Sequence, residues 1–343
     1  MNEFEYLRSR RFFAQIANGM EDLGKSELTE LGGEDIKNVY RGLYFNADNE
    51  ILYRINYQSR LITRVVAPLR TFDCHSADYL YKTAMQVPWH TLFTIKNTFA
   101  VFASVSHSKI THSKYAALRL KDAVVDYFKE QTGDRPNVET LNPDIWLNLH
   151  IERNRAVISV DTSGGSLHRR GYRSQAGAAP MQETLAAAII RLTGWQGEKP
   201  LIDPMCGSGT LLLEALMAFC KIPAGYFRKR FGFEYLPDYN EQLWNSIRKT
   251  VDKKIHPLPE RLLSGSDISR HAIEDVIRNS KNFTFGRNIQ IRARDYRDIE
   301  SINDSIIVTN PPYGIRMGKE QDMGLFYREL GDYLKQHCRN STA

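Results

Sequence analysis

An α/β fold with two unlike halves is predicted for this 343-residue chain by three observations. Strand-like and helix-like segments alternate through residues 1–165 in an order suited to mixed sheets. A glycine-rich turn at Asp203 to Thr210 stands between a short apolar run and an apolar helix. Further on, the run Ser305-Ile306-Ile307-Val308-Thr309 leads directly into Asn310-Pro311-Pro312-Tyr313-Gly314, a stiff stretch at the carboxyl end of a strand.

The first 68 residues carry the clearest alternation. Phe12 to Ala17 is expected as a strand and Glu21 to Leu31 as a helix stopped by Gly32-Gly33. Strands near Ile36 to Tyr40 and Leu43 to Phe45, a helix at Asn49 to Tyr57 and a strand at Thr63 to Leu69 complete the order βαββαβ, a ferredoxin-like unit.

A second unit is expected over 69–165, with a boundary that could lie as early as residue 45. Phe99 to Val105, Ile145 to Ile151 and Ala156 to Thr162 alternate as strands, the last two forming a hairpin across Glu152-Arg153-Asn154-Arg155. Between them, Ala117, Leu120, Val124 and Phe128 stripe a helix that ends at Gly133. Lys109 and Lys114 lie near the start of that helix, where cations oppose the helix dipole, so a purely structural motive for them is poor. Arg169, Arg170 and Arg173 fall in a linker that needs no core packing. Guanidinium groups fork onto phosphates, and pairing with acids across the domain boundary is the alternative.

The second half spans 166–343. A helix starting at Pro180, with an apolar face of Leu185, Ala188, Ile189 and Leu192, precedes the strand Pro200-Leu201-Ile202-Asp203. The turn that follows lacks the lysine of a phosphate-binding loop, and Leu212 stands where a dinucleotide fingerprint has its third glycine. Asp203 would repel a pyrophosphate but accepts hydrogen bonds from an ammonium group. Asp267, ending a second strand, suits ribose hydroxyls, and Asp295, ending a third, is placed to accept from an adenine amine. Amino acid, ribose and adenine together describe S-adenosylmethionine. Proline geometry holds the Asn310 amide and the Pro311 carbonyl in one place, two acceptors suited to an amine on a planar base. An insertion, Lys221 to Pro259, carries Arg228-Lys229-Arg230 among aromatic residues; RNA contact and packing of the rings onto the sheet are both open for it.

The segments D-P-M-C-G-S-G-T at Asp203 to Thr210 and N-P-P-Y-G at Asn310 to Gly314 resemble those of Rossmann-like S-adenosylmethionine-dependent RNA methyltransferases. The earlier helix, hairpin and closing Ser166 to Arg173 stretch look like a THUMP domain leading into such an enzyme. The whole chain is thus similar to the THUMP-containing guanine-N2 methyltransferase family, which includes a bacterial 23S rRNA enzyme and tRNA enzymes. The resemblance implies that Pro204, Cys206, Gly207, Gly209 and Thr210 line the cofactor beside Asp203, Asp267, Asp295 and Asn310. It implies that Asn310, Pro311, Pro312 and Tyr313 hold the target base, with Tyr313 stacked on it, and that structured RNA is the partner. Lys109, Lys114, Arg169, Arg170, Arg173, Arg228, Lys229 and Arg230 are the expected RNA contacts. A family domain would continue past the helix of Phe326, Leu330, Tyr333 and Leu334, so a truncated sheet with an unpaired edge at its fourth strand is expected.

Composition fits these expectations. The net charge of +6 and pI near 9.0 are compatible with a polyanion. Cys74, Cys206, Cys220 and Cys338 show no paired or zinc-ligand spacing, so neither a disulfide framework nor a metal is expected. The absence of a long apolar run and of a leader-like start points to a cytoplasmic protein, expected as a monomer, with no membrane contact. Two other functions remain open: adenine-N6 methylation of nucleic acid, and RNA binding without catalysis.

Overall fold

In a computed structural model of the chain, the described residues are 4–173, 181–312 and 323–343. They form two compact units, Met1–Leu167 with Arg228–Thr250, and His168–Phe227 with Val251–Ala343.

The first unit begins with α1 (Glu5–Ser9), β1 (Arg11–Gln15), α2 (Glu21–Glu30), β2 (Glu34–Val39), β3 (Gly42–Asn46), α3 (Asn49–Gln58) and β4 (Arg64–Asp73). It continues through α4 (Ala77–Ala84), β5 (Thr98–Ser106), α5 (Ser113–Thr132), β6 (Asn137–Val138), β7 (Ile145–Glu152) and β8 (Arg155–Asp161). The strands make one eight-stranded sheet in the order β2-β3-β1-β4-β8-β7-β5-β6. The βαββαβ order is present, but the expected boundary at residue 68 falls inside a strand. Arg64 to Val66 of β4 pair with β1, and Val66 to Asp73 pair with β8. Pro68 has no N–H to give the ladder, and the register with β8 shifts between it and Arg70. The β7–β8 hairpin forms as expected, with Arg153 and Asn154 both at positive φ and Glu152 opposite Arg155. The α5 helix ends where Gly133 takes the left-handed conformation and donates to the Lys129 carbonyl.

The insertion corrects one expectation. Tyr226 and Phe227 pack against the core of the second unit as expected, but the aromatic residues from Phe231 to Trp244 pack in the first unit. Phe233 stacks on Tyr53 of α3 with ring centroids 4.4 Å apart, and Trp244 meets Tyr57 edge-on at 5.2 Å. The Tyr6 hydroxyl donates to Asp238 at 2.7 Å, and the Asn240 N–H donates to the Tyr53 hydroxyl. Gly232 approaches so closely that a Cβ there would lie 1.9 Å from the Asp161 carbonyl oxygen. Arg228 is used up in this docking: its guanidinium donates to the carbonyls of Ser163, Gly164, Gly165 and Ser166 at 2.8–3.3 Å. Arg230 pairs with Asp144 and the Tyr235 hydroxyl.

The second unit contains α6 (Glu183–Leu192), β9 (Leu201–Asp203), α7 (Thr210–Phe219), β10 (Leu263–Asp267), α9 (Arg270–Ser280), β11 (Gln290–Ala293), β12 (Ile306–Ile307) and α10 (Met323–His337); α8 (Glu241–Asp252) belongs mainly to the insertion. Its four strands are parallel, in the order β11-β10-β9-β12. The chain runs outward from β9 to β11 and then returns to the other side of β9. This reversal opens a crevice at the strand carboxyl ends, the place where open α/β sheets bind ligands.

The helices over this sheet follow the apolar pattern with one shift. The start of α6 expected at Pro180 lies outside the described residues, and α6 buries Ala186, Ala187 and Ile190 while Leu185 and Leu192 are exposed. It lies against α7, where small residues permit close approach, so alanines win the inner face over the larger leucines. The outer edge of β12 is not left open as expected, because Ile306 bridges Thr342 and the Ile307 N–H donates to the Thr342 carbonyl at 2.7 Å. Truncating Phe233 to Ala removes a fully buried ring and is expected to lower the stability of the first unit by about 3–5 kcal/mol. Urea unfolding followed by tryptophan fluorescence measures this, and a change below ~1 kcal/mol would show that the insertion is not part of that core.

Candidate active site

The crevice holds a cavity of ≈ 540 Å³, lined by Pro204, Met205 and Gly207 after β9, Asp267 and Ile268 after β10, Asp295, Tyr296 and Arg297 after β11, and Asn310 and Pro312 after β12; Leu325, Phe326 and Glu329 of α10 complete it. Its volume falls in the range of small-molecule sites. Four strand ends therefore converge on one space, although residues 203 to 312 are widely spread in sequence.

Backbone chemistry holds these ends in register. The Gly207 N–H donates to Asp267 Oδ2 at 2.8 Å, and the Ser269 N–H donates to Oδ1 of the same carboxylate at 2.9 Å. One acid thus joins the glycine-rich turn to the start of α9. Each carboxylate oxygen has a further lone pair, which leaves acceptor capacity toward the cavity. Gly207 has φ +53 and nothing within 4 Å of where a Cβ would stand, so the backbone itself forms the cavity wall at that point.

Asp203 lies beneath the wall, almost fully buried. It accepts from the Thr309 hydroxyl at 2.7 Å and from the Met205 N–H at 3.2 Å. Burial pushes its carboxyl up to about 7, with the nearby charge of Asp267 adding to the effect and the two hydrogen bonds opposing it. Because Thr309 precedes Asn310, this contact ties the end of β9 to the start of the Asn310 segment.

Asp295 is paired with a neighbour that also lines the cavity. Arg297 forks onto it, with Nε 3.0 Å from Oδ1 and Nη2 2.7 Å from Oδ2, and the Arg297 N–H also donates to Oδ1. The hydrogen bonds from Arg297 hold this carboxyl below the usual carboxylate range. Arg297 reaches Glu329 on α10 as well, at 3.6 Å.

Several sequence-predicted site residues face elsewhere. Cys206 is buried in the core under the turn, donates its N–H to the Ser266 carbonyl, and has its thiol pushed up by burial. Gly209, at φ +82, faces α9: a Cβ there would stand 2.2 Å from Val276 Cγ2. It serves helix packing, whereas Gly207 serves the cavity. Thr210 is buried, and its hydroxyl accepts from Arg173 at 2.7 Å. Pro311 is half-buried and does not line the cavity. Tyr313 lies outside the described residues.

The expected RNA contacts divide in the same way. Arg170 is fully buried and pairs with Glu214 of α7, Nε to Oε1 at 3.2 Å, beside the Tyr172 hydroxyl. Arg173 is held by Glu183, Ser208, Thr210 and the Met181 carbonyl. With Arg228 bound to four carbonyls, these three guanidinium groups are turned to internal acceptors rather than to a surface where phosphate could reach them. Arg230 is partly exposed but paired, while Lys109, Lys114, Arg169 and Lys229 are exposed.

Sequence reading missed Met205, Ile268, Tyr296, Arg297, Leu325 and Glu329, and took Phe326 only as core. The available signal was at Ile268, an apolar side chain directly after a strand-end acid, which is 71% exposed and lines the cavity. The combination suits an adenosyl group with an amino-acid tail: bare backbone at Gly207, acceptors at Asp267 and Asp295, and apolar surface at Met205, Ile268 and Phe326. Among the described residues, no group of three His, Cys, Asp or Glu side chains is arranged to hold a metal, and no helix is long and apolar enough to cross a membrane.

Comparison with known proteins agrees with this geometry. Residues 170–343 match the RMKL-like methyltransferase domain, 74–161 the THUMP domain and 11–66 the RlmL ferredoxin-like domain. A Synechocystis protein with the provisional name RNA methyltransferase slr0064 is 39% identical over 98% of this chain and 88% of its own length. The "Ribosomal RNA large subunit methyltransferase K/L" of Syntrophotalea carbinolica is 38% identical over 95% of this chain, which spans 47% of that longer protein. The chain thus spans most of the length of the Synechocystis relative and about half the length of the K/L relative. Among solved structures, a protein described provisionally as a methyltransferase, in complex with SAH, has a TM-score of 0.82 and 26% identity over 96% of this chain and 88% of its own. A Listeria monocytogenes protein described as a predicted N6-adenine-specific DNA methylase also has a TM-score of 0.82, with 28% identity over 97% of this chain and 88% of its own. A ferredoxin-like segment, a THUMP domain and a Rossmann-like domain with its crevice at the β9–β12 switch thus occur in one chain, which belongs to the RMKL-like family of methyltransferases.

Proposed function

We propose that the chain transfers a methyl group from S-adenosylmethionine to the exocyclic N2 amine of a guanine in structured RNA, 23S rRNA before tRNA, acting as a monomer in the cytoplasm. The observation that carries this reading is the single cavity shared by Gly207 and Asp267 with Asn310 and Pro312. The THUMP match and the ribosomal RNA name of the K/L relatives support the choice of RNA. When bound, S-adenosylmethionine supplies an electrophilic methyl group on a sulfonium.

The chain's own residues supply position and polarity. Asp267 accepts from ribose hydroxyls, and Asp295 accepts from the adenine amine through lone pairs left free by Arg297. Met205, Ile268, Leu325 and Phe326 exclude water around them. An exocyclic amine conjugated to a ring is a weak nucleophile, because its lone pair is delocalised. A hydrogen bond from that amine to the Asn310 amide oxygen turns the lone pair toward the methyl group. Asn310 is uncharged and a very poor base, so the proton leaves to water after transfer. Tyr313 stacks on a base flipped out of its helix. Lys109, Lys114, Arg169 and Lys229 remain the candidates for RNA contact.

A second reading, adenine-N6 methylation, is favoured by the name of the Listeria structure. Incubating the protein with radiolabelled S-adenosylmethionine and total RNA, followed by nucleoside analysis, separates the two: N2-methylguanosine supports the proposal, and N6-methyladenine would overturn it.

Replacing Asn310 by Ala is expected to lower methyl transfer at least about a hundredfold while leaving cofactor binding intact, since the lost acceptor acts on the amine. Retained turnover would remove Asn310 from the reaction. Asp267→Ala is expected to weaken cofactor binding about tenfold or more in calorimetry, and unchanged affinity would count against the ribose assignment. The raised carboxyl of Asp203 makes the folded state bind its proton more tightly than the unfolded chain does. That contribution to stability is fully present below pH 4 and is lost as pH rises through about 7. Asp203→Asn keeps an acceptor for Thr309 and removes the titration. Its stability relative to the parent chain should therefore rise between pH 5 and pH 8, on the order of 3 kcal/mol. Urea unfolding of both proteins at the two pH values checks this.

A further inference from the structure

We propose that Arg173 is a positioning residue for the cofactor, locking the glycine-rich turn in its binding shape, rather than a contact for RNA phosphate; this rests on the methyl-transfer function proposed above. All three guanidinium nitrogens are engaged. Nε donates to Glu183 Oε1 at 2.6 Å, Nη1 to the Ser208 hydroxyl at 3.3 Å, and Nη2 to the Thr210 hydroxyl at 2.7 Å and the Met181 carbonyl at 3.1 Å. The group therefore ties the start of α6 to the turn and to the first residue of α7.

The position is an odd one for a purely structural cation. A guanidinium at a helix N-terminus opposes the helix dipole, and here it sits against the first turn of α7. Glu183 offsets the charge from the first turn of α6, with both side chains largely buried, at 15% and 8% exposure. What this arrangement provides is restraint of the turn on its third side. Gly207 is already tied to Asp267, and the Ser208 carbonyl accepts from Asn279 of α9 at 3.3 Å. Gly209 packs against Val276. Arg173 holds Ser208 and Thr210 toward the start of α6, directly next to Gly207, whose backbone lines the cavity. A planar fork spans several acceptors at once, which a lysine ammonium on a flexible stem does not reproduce.

The test is calorimetric titration with S-adenosylhomocysteine, in the absence of RNA, on the full chain and on Arg173→Met, Arg173→Lys, Thr210→Val and the Arg173→Met/Thr210→Val double variant. Loss of charge-assisted hydrogen bonds to the turn should weaken binding about tenfold or more in Arg173→Met, with Arg173→Lys recovering only part of it. The double variant should bind no more weakly than Arg173→Met, because the Thr210 hydroxyl acts through the guanidinium. In turnover, KM for S-adenosylmethionine should rise by a similar factor, while kcat at saturating cofactor stays within about twofold and RNA affinity in filter binding is unchanged. Should Arg173→Met fail to fold, Thr210→Val removes one acceptor while leaving the Glu183 pair, and its affinity loss of about threefold or more serves the same purpose. Unchanged affinity in the folded variants, or losses that multiply in the double variant, or a loss confined to RNA binding, would overturn the inference. Absence of binding by the parent chain would overturn the proposed function itself.

Discussion

The carboxylate of Asp267 receives one hydrogen bond from the Gly207 N–H and another from the Ser269 N–H, and the geometry of the crevice depends on that pair. Parallel strands are joined through long connections, so nothing local keeps the loop after β9 beside the loop after β10. A single acid that accepts from both loops does so directly. It also fixes the cavity-facing side of the turn, where Gly207 needs positive φ and no side chain. The buried contact between Asp203 and the Thr309 hydroxyl acts similarly on the opposite side, joining β9 to the segment that carries Asn310. The Gly207 side and the Asn310 side of the cavity are therefore both held to β9.

Much of the charge in this molecule serves assembly. Arg170 and Glu214 are both fully buried, and their pairing with Tyr172 joins the segment before α6 to α7. Removing one partner of such a pair leaves an uncompensated charge in the interior, a cost of about 3–5 kcal/mol. Arg228 caps the carbonyls of the Ser163 to Ser166 loop. Arg170 and Arg173 are matched by Glu214 and Glu183, so these two arginines add nothing to the charge offered to a polyanion.

The insertion shows how chain order and packing part company. Residues Arg228–Thr250 lie in sequence within the methyltransferase domain match, yet they fold with the first unit. Phe231, Phe233, Tyr239 and Trp244 form an aromatic cluster with Tyr53 and Tyr57 that no local pattern announces, since the two sides are nearly two hundred residues apart. Ring interleaving with basic residues invites an RNA reading in sequence. Burial of Phe231 and Phe233 shows a core instead.

What the sequence determined alone was the order of elements and the chemistry at strand ends, because period-two and helical apolar patterns, glycine turns and X-Pro stiffness are local properties. β1, α2, β3, α3, α5, the β7–β8 hairpin and the β9–α7 turn are all recognisable in that way. Asp267, Asp295 and Asn310 could be chosen because an acid or amide closing an apolar run is visible without knowing its neighbours. Tertiary structure decided which residue of each motif faces the cavity. Gly207 and Gly209 look equivalent in sequence, but one opens on the cavity and the other on Val276. Likewise, Lys109 and Arg173 are both cations near a helix start, yet Arg173 meets four acceptors and Lys109 is exposed. Those differences depend on partners brought from distant parts of the chain, such as α9 and α6, and a side chain's partners are set by the packed fold rather than by its neighbours in sequence.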